Sequence, residues 1–245
     1  MALTRYAPTP SGFLHAGNIA NLEQTAELAR QVGATVALRI DDADATRYRR
    51  EYVDDVFRVL AVHELDWDLG PRDTDDFEAN FSQRRKTEYY REVLLDSGLT
   101  TYACTCSRST QRATPTGGCT AGCRGSGHEW RPADTALRVA VPPGTTIDVS
   151  GTAVRLDLEM GDFIVWRRDD LPAYQLVSVV EDRDLGTTHI VRGADLLASS
   201  AAQIFLARAL GADNVVTATY VHHDLVLDAE GRKLSKSTLS SLETP

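Results

Sequence analysis

The opening of the chain reads as strand, glycine-bearing loop, helix and strand, and two strands joined through a helix in this way lie parallel. The loop carries Pro8, Pro10 and Gly12. Beyond it, residues 19–32 place Ile19, Leu22, Ala26 and Ala29 at helical spacing until Gly33 stops the run. Residues 35–40 then read as a buried strand, which completes a βαβ unit and predicts an α/β protein built on a doubly wound parallel sheet. A loop of this kind lets backbone approach a ligand closely, and the helix behind it presents unpaired N–H groups to phosphate. His15 and Asn18 sit at that mouth.

Further along, amphipathic helices are expected at 51–63 and 82–97, separated by a turn-rich stretch that contains Gly70-Pro71. From residue 100 to about residue 131 the composition changes. All four cysteines fall here among Gly, Ser, Thr and Arg, with too few large apolar residues for a core of its own. Short alternating runs at 136–141, 153–158 and 162–166 predict small antiparallel strands, and buried-strand patterns resume at 174–180 and 188–191. Residues 199–210 read as a helix ended by Gly211, and 215–221 as a strand. The expected organisation is a Rossmann-like domain in two halves, 1–99 and 173–245, around an α+β insertion at 100–172.

A chain of 245 residues with 42% hydrophobic and 25% charged residues can bury a core without a covalent staple. No apolar run approaches the length of a membrane span, and the N-terminus lacks the pattern of a secretory signal, so a cytoplasmic protein with no membrane partner is expected. The net charge of -9 argues against extensive phosphate contact, although Arg47, Arg49, Arg50, Arg167 and Arg168 could form a local basic stripe. The cysteines are spaced Cys104-x-Cys106-x12-Cys119-x3-Cys123. Tetrahedral thiolate coordination of zinc would organise this segment; two disulfides, disfavoured in a reducing compartment, or four idle thiols are the alternatives. His128 lies near enough in sequence to compete as a ligand.

Two distant segments carry a family resemblance. His15-Ala16-Gly17-Asn18 resembles the HIGH signature of class I aminoacyl-tRNA synthetases, and Lys233-Leu234-Ser235-Lys236-Ser237 resembles KMSKS with Leu for Met. The stretches Arg5-Tyr6-Ala7-Pro8-Thr9-Pro10, Arg39-Ile40-Asp41-Asp42-Ala43-Asp44, Leu65-Asp66-Trp67-Asp68 and Arg192-Gly193-Ala194-Asp195 are similar to segments of the glutamyl-tRNA synthetase family. Residues 162–169, the run Tyr174-Gln175-Leu176 and the cysteine cluster look most like its shorter branch, the glutamyl-Q tRNA(Asp) synthetases.

The resemblance implies tRNA-independent activation of glutamate by ATP to glutamyl-adenylate, then transfer of glutamate to queuosine in the anticodon of tRNA(Asp). By the same match His15, Asn18, Lys233 and Lys236 are catalytic, and His15, Gly17, Asn18 and Lys236 meet ATP. Glutamate would be bound by Arg5, Ala7, Thr9, Asp41, Tyr174 and Arg192. Bidentate arginine forks suit a dicarboxylate and reject neutral glutamine. Cys104, Cys106, Cys119 and Cys123 would hold structural zinc, Cys119 standing where relatives can have tyrosine. Magnesium is expected with ATP, and the chain is expected to act as a monomer. Asp41 stands where the family usually has Glu, and Thr9 where Ser is commoner. Eight residues follow Ser237, too few for the anticodon-binding domains of longer members, so ordinary charging of tRNA(Glu) is not expected. Transfer to a small molecule or carrier protein, and a catalytically silent binding protein, are the other readings the residues allow.

Overall fold

The structure is a computed structural model, and it describes residues 1–106, 118–119 and 122–225. Along the chain run β1 (Leu3–Tyr6), α1 (Ala16–Val32), β2 (Thr35–Leu38), α2 (Arg50–Val62), α3 (Thr87–Leu95), β3 (Thr101–Cys104) and β4 (Ala136–Val139). They are followed by β5 (Thr146–Val149), β6 (Thr152–Arg155), β7 (Phe163–Trp166), α4 (Tyr174–Leu185), β8 (His189–Gly193), α5 (Leu197–Ala209) and β9 (Thr219–His223). The described residues divide into two compact units, one drawn from residues 1–85, 187–195 and 218–225 and the other from residues 86–186 and 196–217.

In the first unit β1 pairs parallel with β2, Leu3 opposite Thr35 and Tyr6 opposite Leu38. A second parallel pair sets His189 of β8 opposite Thr219 of β9. The two pairs meet where the Thr188 N–H donates to Leu3 O (2.9 Å) and the Leu3 N–H donates to the Thr188 hydroxyl oxygen (2.9 Å). Gly33 ends α1 in the left-handed conformation (φ 63°), which costs glycine nothing sterically, and the chain turns straight into β2. The apolar stripe of α1 (Leu22, Ala29) and that of α2 (Val53, Val56, Val59, Leu60) bury with Tyr6, Val36, Leu38, Ile40 and Phe77 in one core. On the outer edge of β2, Gly70 has φ 107°, and a Cβ there would stand 2.3 Å from Leu38 O. Only glycine lets the chain pass so close.

The second unit carries an antiparallel sheet in the order β3-β4-β7 and the hairpin β5-β6. Here α4 and α5 are linked by Gln175, whose Nε2 donates to Ser199 Oγ (3.1 Å) and whose Oε1 accepts from Gln203 Nε2 (3.0 Å). Lys86 Nζ (2.9 Å) and the Tyr90 hydroxyl (2.6 Å) both donate to Glu181, tying α3 to α4.

Three sequence expectations are corrected. The run at 153–158 is strand only through Arg155, with Leu156–Glu159 a helical turn, and the stretch 215–221 opens in the helical turn Asp213–Val216 and is strand only from Thr219. Residues 174–180 were expected to form a buried strand, but they are the first turns of α4. Leu176 through Asp182 are all buried, so the helix shows no polar face, and a short continuous apolar run is then indistinguishable from a buried strand. Among the described residues no helix is long and apolar enough to cross a membrane.

Candidate functional site

The loop after β1 delivers residues 7–15 to the start of α1. His15 is the N-cap: its Nδ1 accepts from the Gly17 N–H (3.1 Å), while the Asn18 side-chain oxygen accepts from the His15 N–H (3.2 Å). The reciprocal pair satisfies two donors that a helix end otherwise leaves open. Because Nδ1 accepts, the neutral ring carries its proton on Nε2. The first turn of α1 holds no acidic residue, so the positive end of the helix stays available to an anion. A Cβ on Gly17 would stand 3.1 Å from His15 Cε1, so the close ring depends on glycine there. The Leu14 N–H donates to Asp55 Oδ2 on α2 (2.8 Å), anchoring the loop from below.

Beyond their strands, the two chains of the first pair keep company: the Arg39 N–H donates to Tyr6 O and the Asp41 N–H to Pro8 O, each at 2.9 Å. This brings Asp41 beside the Ala7–Thr9 stretch at the carboxyl end of the sheet. Arg5 on β1 and Arg192 on β8 are buried, 3% and 4% exposed. Arg192 faces His222 across the β8–β9 pair, and its guanidinium lies over the Tyr220 ring at 5.8 Å. Burial, reinforced by the charges of Arg192 and His223, holds the His222 imidazole below its usual range. Asn21 Nδ2 donates to Val191 O (3.4 Å) and contacts His223 Nε2 (3.0 Å), so α1 is fastened to both strands.

The Asp41 carboxylate is held rigidly. Arg39 forks onto it through Nε (2.7 Å) and Nη2 (3.0 Å), and Gln83 Nε2 donates to Oδ1 (2.7 Å). Gln83 is in place because buried Asp42 gathers the Ser82 hydroxyl (2.7 Å), the Gln83 N–H (2.7 Å) and Arg84 Nε (2.8 Å). Sequence reasoning had assigned neither Arg39 nor Gln83 a part in the site. Nothing in a local pattern links positions 41 and 83; only the tertiary turn does.

Thus His15, Gly17 and Asn18 meet at one helix mouth, and Arg5, Ala7, Thr9, Asp41 and Arg192 belong to the same compact unit. Tyr174 is the first residue of α4 in the second unit and is 45% exposed. Lys233 and Lys236 lie outside the described residues.

The second unit also holds the cysteine cluster. The four sulfurs of Cys104, Cys106, Cys119 and Cys123 lie within 4.8 Å of one another, with Cys106 at 3.6 Å from Cys119 and 3.8 Å from Cys123. A tetrahedral centre with metal–sulfur bonds of about 2.3 Å needs sulfur–sulfur edges of about 3.8 Å, so the donor set fits such a metal. His128 is exposed and stands outside the cluster. Burial pushes the Cys104 thiol up to about 12, against the Cys106 N–H and the Arg138 guanidinium that favour its thiolate. Burial also opposes ionisation of Cys123, but hydrogen bonds from the Thr105 backbone and hydroxyl and from Cys119 outweigh it and lower that thiol. None of the four cysteines is disulfide-bonded.

The family model for the catalytic domain of class I tRNA synthetases (E and Q) matches residues 1–119 and 126–244. A glutamyl-Q tRNA(Asp) synthetase of Pseudomonas putida is 38% identical over 239 residues, covering 95% of this chain and 76% of the relative. That of Burkholderia cenocepacia is 37% identical over 256 residues, covering 96% and 80%. Among solved structures, a glutamate tRNA ligase from Elizabethkingia meningosepticum, in complex with its amino acid, superposes with a TM-score of 0.75 at 22% identity. The match covers all of this chain and 53% of that one, so the chain spans about half the length of this structural neighbour. At this identity the likeness shows the fold.

Proposed function

The chain belongs to the class I tRNA synthetases of the E and Q type, and from that premise we propose that it activates glutamate with ATP, without tRNA, and passes the glutamyl group to queuosine in the anticodon of tRNA(Asp). A carboxylate oxygen of glutamate attacks the α-phosphorus of ATP, the bond to the bridging oxygen breaks, and pyrophosphate leaves. The queuosine acceptor then attacks the glutamyl carbonyl, and AMP leaves.

In this reading the α1 mouth takes the phosphates: His15 donates from Nε2, the Gly17 backbone and Asn18 line the approach, and Lys233 and Lys236 bring positive charge as pyrophosphate departs. Arg5 and Arg192 hold the carboxylates with help from the Tyr174 phenol, Ala7 and Thr9 shape the floor, and Asp41 receives the ammonium. A magnesium ion accompanying ATP would neutralise phosphate charge. The cysteines hold zinc as a structural centre; its charge organises the thiolates and takes no part in the transfer.

The reading extends to the architecture: a doubly wound Rossmann-like domain in two halves, 1–99 and 173–245, with the zinc-holding insertion at 100–172. It also extends to a monomer working in the cytoplasm. The observation that supports the proposal best is the capped His15, whose orientation at an acid-free helix mouth is what an α-phosphate undergoing attack requires.

The test is ATP–pyrophosphate exchange without tRNA, offered glutamate, aspartate or glutamine. Exchange with glutamate alone, abolished in Lys236→Ala, followed by glutamyl transfer to queuosine-bearing tRNA(Asp), is the expected result. Exchange with a different amino acid, or none at all, overturns it.

A further inference from the structure

Beside Asp41 the structure holds a second buried acceptor that the fold itself does not use. Gln83 begins the 3₁₀ turn Gln83–Lys86 and is 1% exposed. Its Nε2 donates to Asp41 Oδ1 (2.7 Å). An ionised carboxylate can only accept, so this contact fixes which end of the amide is nitrogen and leaves Oε1 as the free end. Gln83 Oε1 is buried and has no hydrogen-bond partner. A buried amide oxygen left in that state has lost its water and gained nothing, which points to a missing donor.

Asp41 is also incompletely spent. Its Oδ1 accepts from Arg39 Nε and Gln83 Nε2, and its Oδ2 accepts from Arg39 Nη2. A carboxylate offers about four acceptor positions, so one on Oδ2 remains. The two unused acceptors are neighbours, since the oxygen and nitrogen of one amide share a carbon. One is anionic and already balanced by a guanidinium; the other is neutral. A compact donor with several N–H bonds matches this pair, and a primary ammonium is such a donor.

We propose that Gln83 Oε1 accepts a hydrogen bond from the α-ammonium of the amino-acid substrate, jointly with Asp41. The inference rests on the reading that Asp41 meets that ammonium. It also gives the short Asp41 side chain a physical context: Arg39 and Gln83 pin the carboxylate, and the Gln83 oxygen supplies an acceptor that the carboxylate alone does not.

The experiment compares glutamate with glutarate, which keeps both carboxylates and lacks the ammonium, by titration calorimetry on the full chain. Gln83→Met retains volume and removes the amide; Gln83→Ala serves if that variant does not fold, and melting curves verify either. Loss of a hydrogen bond to a charged group predicts a glutamate affinity weaker by roughly tenfold or more, with glutarate changed less than about twofold. In an Asp41→Ala background the same Gln83 substitution still weakens glutamate if the oxygen contacts the ammonium directly. Three results overturn the inference: equal loss for both ligands, no loss for either, or a loss that vanishes in the Asp41→Ala background. Failure of the reading beneath it looks different, because Asp41→Ala alone then leaves the preference for glutamate over glutarate unchanged.

Discussion

At the residue scale, the site depends on side chains whose position is set by a neighbour's backbone. The His15 ring is aimed by the Gly17 N–H, and Gly17 has no Cβ to push the ring away. Gly17→Ala therefore separates stability from activity. The position is helical, where alanine is favoured over glycine by roughly 1 kcal/mol, so the melting temperature is expected to hold or rise. The added carbon displaces the ring by a few tenths of an ångström, and activation is expected to slow several-fold to about tenfold, since misplacement of about 1 Å costs on the order of a hundredfold. Pyrophosphate exchange and a melting curve on one preparation check both halves; unchanged exchange sinks the argument. His15, Gly17 and Asn18 were legible because they are adjacent in sequence and belong to one signature. Gln83 was not, because its partner is 42 positions away and the turn that joins them is built on buried Asp42.

At the scale of elements, periodicity was a good guide where an element has one wet face and a poor one where it has none. α2 was expected at 51–63 and spans Arg50–Val62, with Val53, Val56, Val59 and Leu60 on its buried stripe. α4 is buried nearly all round and read as strand. The cysteine segment shows a different limit: spacing announced a metal, but the convergence of β3 with the turn Cys123–Gly125 is what sets the sulfurs within 4.8 Å. Metal analysis is expected to find one zinc per chain, and cobalt substitution to give thiolate charge-transfer absorption. Cys106→Ser, or prolonged chelation, is expected to lower the melting temperature by on the order of 5–10 °C, a few kcal/mol for a chain of this size. A metal-free preparation with an unchanged melting curve would refute the assignment.

At the scale of the whole molecule, stability carries a trace of the site. The folded protein holds His222 below its ordinary value of 6.5, through burial first and then the charges of Arg192 and His223. Above about pH 6.5 the imidazole is neutral folded or unfolded, and its contribution is fully present. As pH falls below 6.5 the unfolded chain takes up a proton that the folded chain refuses, so stability declines until the folded group titrates as well. His222→Gln is expected to flatten the decline below pH 6.5 in denaturant titrations; an unaltered slope would contradict it. The sequence by itself determined the βαβ opening, the α1 mouth and the zinc-ready cysteines, because each is written in contiguous spacing that local physics turns into structure. The tertiary structure alone decided which buried groups meet: Arg39 and Gln83 on Asp41, and Arg192 over Tyr220 beside His222. Those contacts join strands and turns far apart in the chain, and register and packing, not local preference, select them.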